Sequence, residues 1–507
     1  MSEQPASIPL AVWPEPLSES SIRERLPHLL STALPAHMQR LRWYGEKSRP
    51  LRLATVDRMH VEELANAWLV LAFIRIDYDD AGGDANYFVP LLLEPDSHGE
   101  IPLSRIVDSA DRQWSVVDAP ATRAFQRWLI DSAVQQAMLA IGDDAVSSWQ
   151  TTHADDLRAA ASEESRLLSG EQSNSNIAYG SKAIIKVFRR VQPGLNPDVE
   201  LGRYLTERAH SPHVAPLLAD WSITIEDAEP SSIGLAQTMV PNTGDGWAWL
   251  LDAMQTAHDD SGRIQDIASS IGLLGQRTAE IHATLARGDG PYLAPESIST
   301  LQAESWRATA DATFTDTRQR LANIDESALD ERTRDLIARL LQESGVIQHE
   351  LEEFQHLAGY AKTRVHGDFH LGQTLHTESG DWVLIDFEGE PARSLAERRA
   401  RNSPLKDVAG MIRSLAYARA FASISDPPGW TDGQCLLDDA FIEGYRAAIA
   451  SFDQTPALVP TDEVGFMRAL RPWVIEKAIY EIAYELDNRP DWLWAPLAAL
   501  FAENPQN

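Results

Sequence analysis

The chain has 507 residues, too many for one ordinary hydrophobic core and enough for about two to four domains. Its 44% hydrophobic and 23% charged residues are typical of soluble globular proteins, which argues against extensive disorder. Its formal charge of −31 opposes general binding to nucleic acid or to an anionic membrane.

The cysteine content and the N-terminal sequence predict a cytoplasmic protein. The single cysteine, Cys435, can form neither an intrachain disulfide nor a cysteine zinc site. The N-terminal sequence "MSEQPASIPLAVWPEPLSES" lacks the basic start and apolar centre of a secretory signal. No run in the sequence is long and apolar enough to predict a membrane span.

Residues 1–30 have the composition of a weakly ordered leader. After them, "WLVLAFIRIDY" and "NYFVPLLLEP" predict the strands of a small sheet, and the apolar spacing over residues 120–141 predicts a helix. We therefore expect an N-terminal α/β cap domain over residues 31–144.

Residues 145–241 carry a predicted β-hairpin, "IAYGSKAIIKVFRRV", which turns at Gly180 and Ser181 and places Lys186 on its second strand. A helix, "NPDVELGRYLTERA", and a strand, "IGLAQTMV", follow. Residues 242–507 have mostly helical patterns. The order predicts a two-lobed α+β protein with a small β-rich N-lobe over 145–241 and a large helical C-lobe over 242–507.

The stretch "RVHGDFHLGQTLHTESGDWVLIDFEGEP", residues 364–391, interrupts the helical pattern with clustered polar residues. Asp368 stands five residues before Gln373, the spacing of Asp and Asn in the catalytic loop of protein kinases. Gln can supply an oxygen to a hard cation, and "WVLID" predicts a buried strand with Asp386 at its end. Here "DFE" stands where protein kinases have "DFG".

Each of these residues also has a structural interpretation. Asp368 or Asp386 alone would more often cap a turn or end a strand, and a strand lysine such as Lys186 most often faces solvent. Their ordered spacing favours the catalytic interpretation of the set. Glu200, on the next helix, is equally well interpreted as the ion partner of Lys186 or as a solvated residue.

The segment "SGEQSNSN", residues 169–176, occupies the position of a phosphate-covering loop but contains one glycine, Gly170. Ser and Asn side chains and backbone N–H groups can still bind phosphate. The candidate nucleotide-binding residues are therefore Gln172, Ser173, Asn174 and Ser175. His366 and His370 lie outside any two-histidine metal motif, which favours packing or hydrogen bonding.

The sequence resembles the bacterial maltokinases, whose eukaryotic-kinase-like fold is related to that of aminoglycoside phosphotransferases. The resemblance begins near residue 39 and is carried by five ordered blocks: "GEQSNSNIAYGSKAIIKVFRRVQPGLNPDVELGRYL", "HGDFHLGQ", "IDFEGEPARSLAERR", "SPLKDVAGMIRS" and "KAIYEIAYELDNRPDWL". It implies ATP-dependent phosphorylation of maltose at the anomeric hydroxyl, giving maltose 1-phosphate for glycogen synthesis from trehalose. It also implies a magnesium requirement, a cap region and a cleft between lobes. The oxygen donors of Gln373 and Asp386 would also suit manganese.

The resemblance also implies roles for individual residues. Asp368 would be the catalytic aspartate, Gln373 and Asp386 the metal ligands, and Lys186 the phosphate-contacting lysine with Glu200 as its partner. The adenine-contacting segment would be Gln237, Met239 and Val240. Tyr480 and Tyr484, four residues apart on one helical face, would contact the sugar, and we place His370, Glu388 and Glu481 in the same sugar site.

Two alternatives remain open at this stage. A glucosamine kinase, or another sugar or amino-sugar kinase, shares the catalytic blocks. A non-catalytic kinase-like binding module is also conceivable, although the retention of Lys186, Asp368, Gln373 and Asp386 argues against it. Association with a trehalose synthase stays open, and the sequence favours neither a monomer nor a homo-oligomer.

Overall fold

The structure is a computed structural model that describes residues 8–501 except 42, 81, 96–100, 169–173, 227, 258–259, 326, 328, 392, 426–433 and 454–455. The chain divides into two compact units. The first unit is Met1–Arg208 with Ala215–Val240, and the second is Ala209–Val214 with Pro241–Asn507. The larger segment of the second unit begins at Pro241, one residue before the predicted start of the C-lobe.

The first unit begins with a sheet and a helix that form the cap region. The strand order is β1-β5-β6-β4-β3-β2. The bounds are β1 (Leu10–Val12), α1 (Glu19–Met38), β2 (Leu51–Leu64), β3 (Ala67–Tyr78), β4 (Ala85–Pro95), β5 (Ser104–Val107) and β6 (Gln113–Asp118).

Helix α1 shows that the prediction of a weakly ordered leader is wrong for residues 8–30. Ile22, Leu26, Leu30 and Leu34 recur every four residues along α1 and are buried against the cap sheet. Ser18 caps the N-terminus of this helix, because its hydroxyl accepts a hydrogen bond from the Ser21 N–H. Two prolines inside α1 and its many polar residues hid this apolar face from composition-based reasoning.

The second sheet of the first unit carries the predicted hairpin. Its strand order is β7-β8-β13-β14-β11-β10-β9. The remaining elements of this unit are α2 (Arg123–Val134), β7 (Met138–Ile141), β8 (Asp144–Gln150), α3 (Ala154–Ala160), β9 (Ser165–Leu167), β10 (Asn174–Tyr179), β11 (Ala183–Phe188), β12 (Arg190–Val191), α4 (Pro197–Arg203), β13 (Leu217–Thr224) and β14 (Ser231–Thr238). The β10–β11 hairpin is confirmed, and Gly180 adopts a φ of 52° in its turn.

The structure contradicts the predicted boundary between residues 144 and 145. The predicted helix over 120–141 ends at Val134, and residues 138–150 form the β7–β8 hairpin that pairs with β13. The two sheets also share one hydrophobic core, in which Leu71 and Phe88 of the cap pack with Ile177 and Ile185. The cap and the sheet carrying Lys186 are therefore parts of one folded unit.

The second unit is mostly helical, as the sequence predicts. Its elements are β15 (Asn242–Asp245), α5 (Gly246–Ala257), α6 (Ser261–Leu285), α7 (Gly290–Leu293), β16 (Glu296–Ser297), α8 (Thr300–Leu321), α9 (Glu331–Gln342), α10 (Ser344–Leu351), β17 (Ala361–Lys362), β18 (Thr374–Thr377), β19 (Trp382–Leu384), α11 (Leu395–Arg398), α12 (Leu405–Ser425), α13 (Gln434–Ile449), α14 (Glu463–Asn488) and α15 (Trp494–Leu500). Among the described helices, none combines the length and the apolar character that crossing a bilayer requires.

Candidate active site

The second unit holds Asp368 on a segment that is fixed by a buried aspartate, Asp407, from the first turn of α12. The Asp407 carboxylate accepts hydrogen bonds from the backbone N–H groups of His366 at 2.7 Å and of Gly367 at 2.9 Å. His282 Nε2 donates to the same carboxylate at 3.0 Å. These bonds fix the backbone immediately before Asp368.

The environment of Asp407 keeps its carboxylate ionised. Burial alone would raise the pKa of Asp407, but the hydrogen bond and charge of His282 and the bond from Gly367 outweigh burial and lower it. The Tyr445 hydroxyl lies 3.0 Å from His282 Nδ1 and extends this buried network.

The two histidines on either side of Asp368 have hydrogen-bonding roles, as the sequence predicts. His366 Nε2 donates to the Ile385 carbonyl at 2.8 Å, which ties the Asp368 segment to the strand leading to Asp386. His370 Nδ1 accepts from the Gly372 N–H at 3.1 Å at the start of the 3-10 turn Leu371–Gln373. Burial lowers the pKa of His370, although the charge of Asp368 opposes this effect.

Gln373 and Asp386, the two predicted metal ligands, lie together in the second unit. Gln373 Nε2 donates to Asp386 Oδ2 at 3.0 Å. Asp386 follows β19 and has a φ of 68°, a left-handed conformation that Asp tolerates better than most residues. This conformation reorients the chain just after the strand, at the position of the predicted metal-binding tripeptide.

Lys477, from α14, is a charged neighbour of Asp368 that the sequence reasoning missed. Its ammonium lies 3.7 Å from Asp368 Oδ1 and 3.1 Å from Glu390 Oε1. Burial opposes its charge, but Glu390 and Asp368 outweigh burial and raise the pKa of Lys477. Lys477 therefore remains a cation beside the predicted catalytic carboxylate.

Glu390, which follows "DFEG", is also held by cations. Burial would raise its pKa, but Lys406, Lys477 and Arg393 lower the pKa of Glu390 to about 2. Glu388, predicted in the sugar site, is half-buried, and its backbone carbonyl accepts from Arg398 at 3.0 Å. The segment after Asp386 is thus fixed to neighbouring elements by charged hydrogen bonds.

Three predicted sugar-site residues lie on α14 in different environments. Tyr480 is half-buried beneath the Lys477 ammonium, which is 4.8 Å from the ring centre. Glu481 accepts from Arg413 at 2.8 Å, and burial raises its pKa despite that cation. Tyr484 is 48% exposed, so core packing does not explain it. The one-face arrangement of Tyr480 and Tyr484 remains compatible with sugar contact.

The first unit holds Lys186 in a buried ion pair. Lys186 Nζ lies 2.8 Å from Asp198 Oδ2, and Asp198 is fully buried near the start of α4. The structure therefore gives Lys186 a partner, Asp198, that the sequence reasoning did not name, and the pairing of Lys186 with Glu200 stays a prediction. Two residues along a helix correspond to a rotation of about 200°, so Asp198 and Glu200 point to different sides of α4.

The remaining predicted nucleotide-binding residues are on or beside the strands flanking Lys186. Asn174 is half-buried at the start of β10, whereas Gln172 and Ser173 lie outside the described residues. Ser175 is buried, and its hydroxyl accepts a hydrogen bond from Arg189 Nε at 2.9 Å.

The predicted adenine-contacting segment runs from the end of β14 to the edge of the first unit. Gln237 is buried in β14, opposite Ile184 of β11. The Met239 N–H donates to the Lys182 carbonyl at 2.9 Å, and Val240 is half-buried.

The residues that sequence reasoning missed had partial signals. Lys477 precedes Tyr480 by three residues, so helical spacing alone places both on one face of α14. Asp407 lies in the quoted block "SPLKDVAGMIRS", and Asp198 in "NPDVE". Their partners depend on tertiary contacts that no local pattern encodes.

The chain is similar to known glucosamine kinases in sequence and in fold. No protein-family model matches the chain. It is 26% identical over 342 residues to a glucosamine kinase of Mycolicibacterium smegmatis, covering 66% of this chain and 78% of that protein. It is 25% identical over 339 residues to a glucosamine kinase of Streptacidiphilus jiangxiensis, covering 64% of this chain and 70% of that protein.

Solved structures of glucosamine kinase are similar over nearly the whole chain. One crystal form has a TM-score of 0.68 at 20% identity and covers 94% of this chain and 98% of that chain. A complex with glucosamine, ADP and inorganic phosphate has a TM-score of 0.66 with the same coverage. The predicted two-lobed kinase-like fold, with its additional N-terminal region, is thereby confirmed.

Proposed function

We propose that this chain is an ATP-dependent sugar kinase, which transfers the terminal phosphoryl group of ATP to a sugar hydroxyl. The observation that carries the proposal is the second unit's arrangement of Asp368 on a segment anchored by Asp407, together with the adjacent Gln373–Asp386 pair. Phosphoryl transfer needs a carboxylate near the acceptor hydroxyl and oxygen ligands for a metal, and these residues supply both.

In this proposal, Asp368 orients the acceptor hydroxyl and accepts its proton. Gln373 and Asp386 present oxygen atoms, the donors that a hard cation prefers, so their chemistry fits magnesium. Bound magnesium would offset the charge of the ATP phosphates. Lys186, oriented by Asp198, contributes a further cation for the phosphates, and Gln237, Met239 and Val240 contact the adenine.

Glucosamine is the first acceptor to test, because the two relatives described above are glucosamine kinases. The sugar would contact Tyr480, Glu481 and Tyr484 of α14, with His370 and Glu388 beside them.

Maltose is the second acceptor to test, because three glutamates of the second unit are already paired with cations. Glu390, Glu481 and Glu485 each contact a lysine or an arginine within the second unit. An ammonium group on the sugar would have to compete with those cations, whereas a neutral sugar would not. The five sequence blocks that resemble maltokinases favour the same acceptor.

A phosphorylation assay with ATP and magnesium across glucosamine, maltose, glucose and aminoglycosides tests the proposal. We expect turnover with a sugar and its loss in EDTA, and Asp368→Asn protein serves as the inactive control. Absence of turnover with every acceptor would contradict the proposal and favour a non-catalytic binding module.

A further inference from the structure

Arg189 is a fully buried arginine between the cap sheet and the strand β10 that precedes Lys186 in the chain. Its guanidinium donates to both oxygens of Asp118, at 2.9 and 2.5 Å, and Asp118 ends β6 of the cap. Its Nε donates to the Ser175 hydroxyl at 2.9 Å. Each of the three guanidinium nitrogens is therefore engaged, and they connect the cap to β10.

The backbone reinforces the same connection. The Arg189 carbonyl accepts a hydrogen bond from the Phe88 N–H at 2.7 Å, and Arg190 pairs with Tyr87 of β4. The Arg189 guanidinium also lies 4.7 Å from the ring centre of Trp43. The cap therefore holds both the side chain and the main chain of Arg189.

Ser175 determines how β10 presents its other side chains. Successive side chains of a strand point to opposite faces. Ser175 shares a face with Ile177 and Tyr179, which belong to the core. Asn174 and Asn176 point to the opposite face, and Asn176 pairs across the hairpin with Lys186. Fixing the Ser175 hydroxyl therefore fixes the face of β10 that carries the asparagines and adjoins Lys186.

We infer that Arg189 is a positioning residue through which the cap sets nucleotide affinity. This inference rests on the proposed function, because it assumes that β10 and Lys186 contact ATP. Ser175 then acts as the anchor of β10 rather than as a phosphate ligand, which revises its predicted role. A lysine cannot replace Arg189, because one ammonium cannot reproduce the planar fork that engages Asp118 and Ser175 together.

The test compares Arg189→Lys and Ser175→Ala with a matched control, Arg203→Lys. Arg203 also makes a two-point ion pair in the first unit, at 2.8 and 2.7 Å from Asp220, and lies 4.5 Å from the ring centre of Trp149. The full chain is titrated calorimetrically with adenylyl imidodiphosphate and magnesium, and thermal unfolding is recorded beside it.

We expect Arg189→Lys and Ser175→Ala each to weaken analogue binding about tenfold, the equivalent of one hydrogen bond to a charged group. The double variant should bind no more weakly than the worse single variant, because both remove the same contact. Arg203→Lys should lower only the unfolding temperature. The full set of these results would support the positioning role.

Wild-type affinity in both Arg189→Lys and Ser175→Ala, with lowered unfolding temperatures, would overturn the inference and leave the proposed function standing. If Arg189→Lys does not fold, Ser175→Ala decides, because loss of one hydroxyl leaves the Arg189–Asp118 pair intact. If the wild-type protein does not bind the analogue, the proposed function fails, and this inference fails with it.

Discussion

Replacement of Asp407 by asparagine should impair both stability and turnover, because this carboxylate fixes the backbone before Asp368. The substitution keeps the volume of the side chain but removes the charge and replaces one acceptor oxygen with an NH₂ group. Three donors now converge on Asp407: the N–H groups of His366 and Gly367 and Nε2 of His282. At least one of them would face another donor.

The expected magnitude follows from the cost of a buried unpaired group. Each unsatisfied buried donor costs about 1–3 kcal/mol, and breaking a buried charged pair costs about 3–5 kcal/mol. We therefore expect Asp407→Asn to lose about 3 kcal/mol of unfolding free energy. Displacing Asp368 by about 1 Å should also lower kcat about a hundredfold. Denaturant unfolding and steady-state kinetics with the preferred sugar measure the two effects.

The pH dependence supplies an independent check. Because the folded-state pKa of Asp407 is lowered, its stabilising effect is fully present above the unfolded-state pKa of about 3.9. The effect is lost as the pH falls through the lower, folded-state pKa. The stability difference between wild type and Asp407→Asn should therefore be constant near neutral pH and shrink below about pH 4.

Asp438→Asn is the matched control, because Asp438 makes a two-point pair with Arg419, at 2.7 and 2.9 Å, between α13 and α12. This pair is partly exposed, so we expect a smaller loss of stability and normal kcat. If Asp407→Asn unfolds and turns over like the control, the anchoring role of Asp407 is refuted.

Three further predictions concern the proposed catalytic groups. Asp368→Asn should lower turnover at least about a hundredfold while retaining nucleotide–magnesium binding in calorimetric titration. Asp386→Asn should lose both turnover and that binding; if instead Asp368→Asn loses the binding and Asp386→Asn keeps it, the two assigned roles are wrong. Lys186→Arg should keep the buried ion pair yet raise the KM for ATP, and unchanged ATP kinetics would argue against phosphate contact. Replacing Tyr480 and Tyr484 with Ala should raise the KM for the sugar more than that for ATP; reduced stability with normal sugar kinetics would indicate packing alone.

The sequence predicts best where chemistry and local geometry coincide. The β10–β11 hairpin has a glycine in its turn, and the β-branched run after it places Lys186 on a strand. The cap helix α1 was missed because Pro27 and Pro35 usually argue against a helix, although burial of its apolar face outweighs their cost. Turn residues and strand-forming runs thus predict an element reliably, whereas an element whose stability comes mainly from tertiary packing, such as α1, is missed.

Ion partners are harder to predict from the sequence than secondary-structure elements. Glu200 was proposed as the partner of Lys186 from its position on the next helix, but the position of Glu200 could not indicate that a second carboxylate of α4 reaches the lysine. The packing of α4 brings the fully buried Asp198 to 2.8 Å from Lys186 Nζ. Sequence spacing can identify the helix without identifying its inward face.

Because of Lys477, substitutions that change sugar preference should also change the rate of phosphoryl transfer. Lys477 contacts Asp368 and Glu390, and it lies over the ring of Tyr480. Under the proposed function, Lys477 therefore neighbours three different parts of the site. Asp368 is the proposed base, Glu390 lies just after the proposed metal ligand Asp386, and Tyr480 is a proposed sugar contact. A substitution that adapts α14 to another sugar would also alter the field at Asp368, because nearby charges in a buried site are weakly screened. Changes in acceptor preference should therefore appear in kcat as well as in the KM for the sugar.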